Sequence, residues 1–220
     1  MKVRRSTAGV LALVLLAALA LGLAACGGST DSGGGGDANA APVSGGTLTV
    51  TFQGEPTELD PAIAWEVTSW GIMRLCYQGL LSYAPGAGEA GSELAPELAT
   101  EVPTTENGGI SADAKTYTFH IRRGVTFQPP VSREVTAADF KYSFERMMVE
   151  PLAPATFFYT GVVGAQDFMD GKAKDIKGYK VVDDSTIEIT LEKPDGAFLY
   201  AMAMMFTSVL PQEWVDQVGK

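Results

Sequence analysis

Between Thr116 and Ile121 polar and apolar residues alternate without a break. Tyr117, Phe119 and Ile121 fall on one face and Thr116, Thr118 and His120 on the other, which predicts a half-buried strand. Arg123-Gly124 punctuates it. Thr136 then stands as a helix N-cap, with Asp139 in the place where a capping box carries Glu. Phe140, Phe144, Met147 and Met148 follow at helical spacing and form one apolar stripe, which Glu150-Pro151 stops.

The same reading places further elements on either side. Residues 47–52 alternate and predict a strand, ended by Gly54-Glu55-Pro56. Val67, Trp70, Met73, Cys76, Tyr77 and Leu80 recur at helical spacing up to Gly79-Leu80. Within that helix Cys76 reads as a small buried hydrophobe rather than a reactive thiol. Residues 85–91 and 103–113 are loops, and residues 167–172 a short helix with a Gly stop. Residues 179–182 and 186–191 are two strands of a hairpin across Asp183-Asp184-Ser185. Consecutive residues of a turn point apart, so Asp183 and Asp184 are turn residues and not an acid/base pair. Pro194 opens a short helix carrying Phe198, Leu199 and Met202. Residues 206–210 predict a strand, and Pro211 begins a last helix through Val218. Phe157, Phe158 and Tyr159 form either an exposed aromatic wall or a piece of core.

Composition narrows the function. Of 220 residues 46% are apolar, enough for a real core. A net charge of −10 argues against nucleic acid, which needs Lys and Arg to neutralise phosphates. Two cysteines cannot staple a disulfide scaffold, and a single histidine removes His-cluster metal sites and most Ser-His or Cys-His enzymes. No catalytic residue, metal site or cofactor is expected.

At the N-terminus Lys2, Arg4 and Arg5 precede an apolar run over residues 8–25, ending in Leu23-Ala24-Ala25-Cys26. A membrane-spanning helix is one reading of such a run. A lipoprotein signal peptide over residues 1–25, cleaved before Cys26 with lipid on its sulfur, is the reading favoured by the small residues before Cys26. Residues 26–45 are then a flexible Gly/Ser-rich tether, which as a random coil reaches roughly 25 Å.

Three strings carry a resemblance: Leu94-Ala95-Pro96-Glu97-Leu98-Ala99, the strand Lys115 through Phe127, and Val135 through Arg146. Together they resemble the family 5 extracellular solute-binding proteins of ABC transporters, the dipeptide-, oligopeptide- and nickel-binding lipoproteins. Thr47-Leu48-Thr49-Val50, Leu59-Asp60-Pro61, Gln78-Gly79-Leu80-Leu81 and the Asp183-Asp184 hairpin resemble the same family. Two positions depart from it: Thr100-Glu101-Val102 stands where the family carries a Trp, and Gln128-Pro129-Pro130 where it carries an Asp-Gly turn.

The resemblance implies a mixed α/β fold like the type II periplasmic binding proteins, a bilobal clamp of which only the N-terminal part is covered. Residues 46–63 would begin domain I, 64–205 form domain II, and 206–220 re-enter domain I. It implies a monomeric lipoprotein on the outer face of the cell membrane, capturing peptides or a similar small solute and delivering it to ABC permease subunits. Residues just after the Asp-Pro contact the ligand in oligopeptide-binding members, which by position are Trp65, Glu66 and Val67, although Trp65 is equally read as packing at a helix start. A ligand-contacting aromatic falls at Phe157. With one lobe covered, the chain alone is expected to bind solute only weakly. The alternatives are a shortened surface lipoprotein acting as a partner-binding module, and an enzyme, for which no nucleophile–base pair is evident.

Overall fold

The computed structural model describes residues 44–218. The chain divides at Thr49/Val50 into two units. Of the first, residues 44–49 are described and carry no helix or strand. The signal peptide, Cys26 and nearly all of the tether lie outside the described residues.

The second unit is built on a three-stranded antiparallel sheet. Strands β3 (Thr116–His120), β4 (Tyr179–Asp183) and β5 (Thr186–Thr190) lie in the order β3-β5-β4. The register sets Tyr117 opposite Ile189 and Phe119 opposite Ile187, and Tyr179 and Val181 continue the same two rows across β4. Apolar side chains therefore share one face, as the alternation predicts. Across the other, Thr116 and Thr190 hydroxyls meet at 3.2 Å and Lys180 pairs with Glu188 at 3.0 Å. A register shift between Val181 and Asp183 marks a bulge just before the hairpin turn. There Asp183 Oδ1 accepts the Ser185 N–H at 2.8 Å, the turn role read from the sequence. Two shorter strands, β1 (Leu81–Tyr83) and β2 (Leu94–Pro96), form a separate hairpin.

Helix α2 (Ala137–Val149) covers the apolar face, preceded in the chain by α1 (Val67–Met73). Phe140, Phe144, Met147 and Met148 are all buried, and the Phe144 ring lies 4.8 Å from Tyr179 and 5.3 Å from Tyr159. Burying one such side chain contributes about 1.5–3 kcal/mol. Asp139 serves the start of α2 as expected: its Oδ2 accepts both the Thr136 N–H and the Thr136 hydroxyl at 2.9 Å. Arg133 grips the same carboxylate and reaches on to Glu213. The remaining helices are α3 (Ala165–Met169), α4 (Phe198–Ala201) and α5 (Gln212–Val218).

Four sequence expectations are corrected. Residues 47–52 form no strand, because no partner among the described residues offers them a ladder, and Val50 and Phe52 stay exposed. Residues 206–209 are buried and Leu210 half-buried, but they form a 3-10 turn, Met205–Thr207, followed by an extended stretch. Hydroxyls decide this: Thr207 donates to the Met202 and Met204 carbonyls, and Ser208 to that of Met205. The helix read through Leu80 stops at Met73, because Gly79 N–H goes to Glu97 Oε2 and the Leu80 carbonyl accepts from Glu97 and Ala99. Cys76 is consequently exposed, not buried.

Candidate functional site

Residues 57–66 form a loop tied down along its length. Pro61 biases Asp60 away from helix, and the Asp60 carbonyl accepts the N–H groups of Ile63 and Ala64 at 3.1 and 2.9 Å. Asp60 Oδ1 accepts the Ala62 N–H at 2.9 Å, and both carboxylate oxygens accept from the Arg146 guanidinium. Burial pulls the Asp60 carboxyl upward, but the bonds from Arg146 and Ala62 outweigh it and hold it below its ordinary value. Tyr77 is pushed up by burial and by Asp60.

At the end of this loop stand Trp65, Glu66 and Val67. Glu66 caps α1: its carboxylate accepts from the Ser69 hydroxyl at 2.5 Å, from the Ser69 and Thr68 N–H groups at 3.2 Å and from Thr57 N–H at 3.0 Å. The bond from the Ser69 hydroxyl, with those from the three amides, lowers its pKa to about 2. Three of these bonds go to Oε1 and one to Oε2, so the carboxylate closes the loop. Trp65 is 54% exposed and lies against Phe206, ring centroids 5.5 Å apart and planes 27° apart. Trp70 meets the same Phe206 edge-on at 5.2 Å and donates Nε1–H to the Ala64 carbonyl at 2.8 Å. Val67 is 88% exposed.

The second candidate lies in the 3-10 turn Thr156–Phe158. Of its three adjacent aromatics, Tyr159 is buried with its hydroxyl donated to the Ala201 carbonyl at 2.8 Å, Phe158 is half-buried and Phe157 is 60% exposed. Phe157 rests on Phe158, centroids 4.1 Å apart. Both readings of this triplet therefore hold in part, a core residue and an exposed ring two positions apart.

Beside that turn lies a cavity of about 250 Å³ walled by Phe158, Tyr159, Val162, Leu191 and Phe198. A more open, apolar one of about 320 Å³ has Tyr77, Phe127, Val209 and Trp214 in its walls. Trp65, Glu66, Val67 and Phe157 line neither; the structure brings the first three together and leaves Phe157 in its own turn. His120 is exposed, its ring 3.5 Å from the Thr186 hydroxyl. Among the described residues no group of three or more His, Cys, Asp or Glu is placed to hold a metal ion, and no helix is long and apolar enough to cross a membrane.

Periodicity reads Phe206 as part of a strand and so does not point to it as the ring behind Trp65. It also missed the Asp60–Arg146 pair. The available signal was chemical: each is a charged residue within a family-like string, Leu59-Asp60-Pro61 and Ser143-Phe144-Glu145-Arg146.

Residues 93–218 match the family model described as bacterial extracellular solute-binding proteins, family 5 Middle. The chain is 30% identical to the dipeptide-binding protein of Escherichia coli over 190 residues, which is 82% of this chain and 32% of that protein. It is also 30% identical to heme-binding protein A of Haemophilus influenzae over 217 residues, 95% of this chain and 37% of that protein. Among solved structures, the murein tripeptide binding protein MppA of Escherichia coli superposes with a TM-score of 0.60 at 29% identity, over 74% of this chain and 30% of that one. The chain spans about a third of the length of the curated relatives it matches. Its fold is that of part of a type II periplasmic binding protein.

Proposed function

This chain belongs to the bacterial extracellular solute-binding proteins of family 5, and from that membership we propose that it works as the peptide-capturing lipoprotein of an ABC importer. In this reading it is held outside the cytoplasmic membrane by lipid on Cys26, binds a short peptide or similar solute without altering it, and hands it to permease subunits as a monomer. Residues 46–63 and 206–220 belong to domain I and residues 64–205 to domain II. The observation that carries the site is Trp65: an indole packed against Phe206 on one side and open on the other. Aromatic platforms of this kind bring large contact area at low entropic cost, since the ring is already ordered. Val67 and Phe157 add apolar surface, and Glu66 contributes by fixing the turn from which Trp65 projects.

Relatives named for dipeptides and for haem make the solute the first question. Titrating the full chain with trialanine and separately with haemin, followed by tryptophan fluorescence, addresses it. The expected result is weak trialanine binding that Trp65→Ala removes. Haemin binding with no trialanine response, or a response indifferent to Trp65→Ala, contradicts the peptide reading. Anchoring is tested by palmitate labelling: Cys26→Ser is expected to abolish it, and normal labelling of that variant overturns the assignment.

A further inference from the structure

Asp60 and Arg146 lie 86 residues apart in the chain, and the proposed solute contact uses neither. Arg146 Nη1–H donates to Asp60 Oδ1 at 2.9 Å and Nη2–H donates to Oδ2, the two-pronged geometry that fixes orientation as well as distance. The Arg146 side chain is only 18% exposed. What it grips is a turn and not merely a side chain. The Asp60 carboxylate also takes the Ala62 N–H, its carbonyl takes those of Ile63 and Ala64, and the Ala64 carbonyl takes the Trp70 indole. Ala64 is fully buried and the next residue is Trp65. The chain of contacts therefore runs from α2, through Asp60 and Ala64, to the exposed indole.

We propose that Arg146 is the positioning residue of Trp65: its fork on Asp60 sets the course of residues 60–64, so that the indole lies on Phe206 with its other side presented outward. The consequence for solute binding rests on Trp65 being a solute wall; the positioning itself does not. A pair that only stabilised the fold would lower the melting temperature on removal and leave the Trp65 environment in the folded protein unchanged.

The test is ¹⁹F NMR of the full chain labelled with 5-fluorotryptophan, whose lines from Trp65, Trp70 and Trp214 are assigned by single replacements with Phe. In Arg146→Met the Trp65 line is expected to shift and broaden while that of Trp214 stays in place. Arg146→Lys, which keeps the charge but loses the fork, is expected to fall between the two. Trialanine affinity is expected to drop about tenfold in Arg146→Met, the loss of a preorganised contact. If Arg146→Met does not fold, Asp60→Asn, which keeps an acceptor for Ala62 N–H, is read the same way. An unmoved Trp65 line in either folded variant overturns the proposal. A line that moves while Trp65→Ala leaves trialanine binding intact supports the positioning and defeats the solute-wall reading instead.

Discussion

Residues 57–66 and the turn Thr156–Phe158 each present one aromatic ring to solvent with another ring behind it, and they arrive there by opposite means. Around Trp65 the ties are long-range: Asp60 to Arg146, and Trp65 and Trp70 to Phe206. Around Phe157 the backbone bonds span three residues, Phe158 N–H to Ala155 and Tyr159 N–H to Thr156, and the turn is anchored by the buried Tyr159. A local turn survives the loss of any distant partner so long as its plug stays buried. A loop held by distant ties depends on each of them, and its ring moves when one is cut.

The largest effect is therefore expected from pulling the plug. Tyr159→Ala removes a fully buried ring and the bond to Ala201, and should destabilise the protein by about 3–5 kcal/mol in urea unfolding. A loss below 1 kcal/mol would mean that the turn is not anchored there. Arg146→Met comes next, with about 1–3 kcal/mol expected from leaving Asp60 without its charged partner. Unlike Tyr159→Ala, it should disturb Trp65 and spare Phe157.

Acid should act on the same region. The folded pKa of Asp60 lies below its ordinary 3.8, so the pair's stabilisation is fully present above that value and is lost as pH falls through the lowered one. Tryptophan emission followed from pH 5 downward should show a change below pH 3.8 that is reduced in Asp60→Asn, where the Glu66 step near 2 remains. A midpoint at or above 3.8 would contradict the sign. The smallest effect is expected from a residue in neither segment: His120→Ala, on the exposed face of β3, should change stability by less than about 0.5 kcal/mol. Chemical denaturation checks it.

Much of what depends on neighbours in the chain was legible, although the local hydroxyl bonds of Thr207 and Ser208 that turn residues 206–208 away from a strand were not. The faces of β3, the stripe of α2, the Asp139 cap and the Asp183–Ser185 turn all follow from short-range pattern, and the structure has each of them. Patterns that need a partner elsewhere did not translate. Alternation over residues 47–52 says which side chains would share a face, yet only a neighbouring strand makes a strand of them. Helical spacing carried α1 too far because the pull of Glu97 on Gly79 is invisible to periodicity. In the candidate site, motif position nominated Trp65, Glu66 and Val67, while the residues that touch or tie down their loop, Phe206 and Arg146, come from distant sequence. Position could not say which aromatic of residues 157–159 faces outward; the short turn and the burial of Tyr159 decide it.

Amide hydrogen exchange of the full chain tests most directly whether a distant tie builds the Trp65 platform. Wild-type Ala62, Ile63 and Ala64, whose N–H groups are all bonded to Asp60, should exchange slowly, and Arg146→Met should speed them while leaving Phe158 and Tyr159 unchanged. Equal protection of residues 62–64 with and without Arg146 would contradict the account.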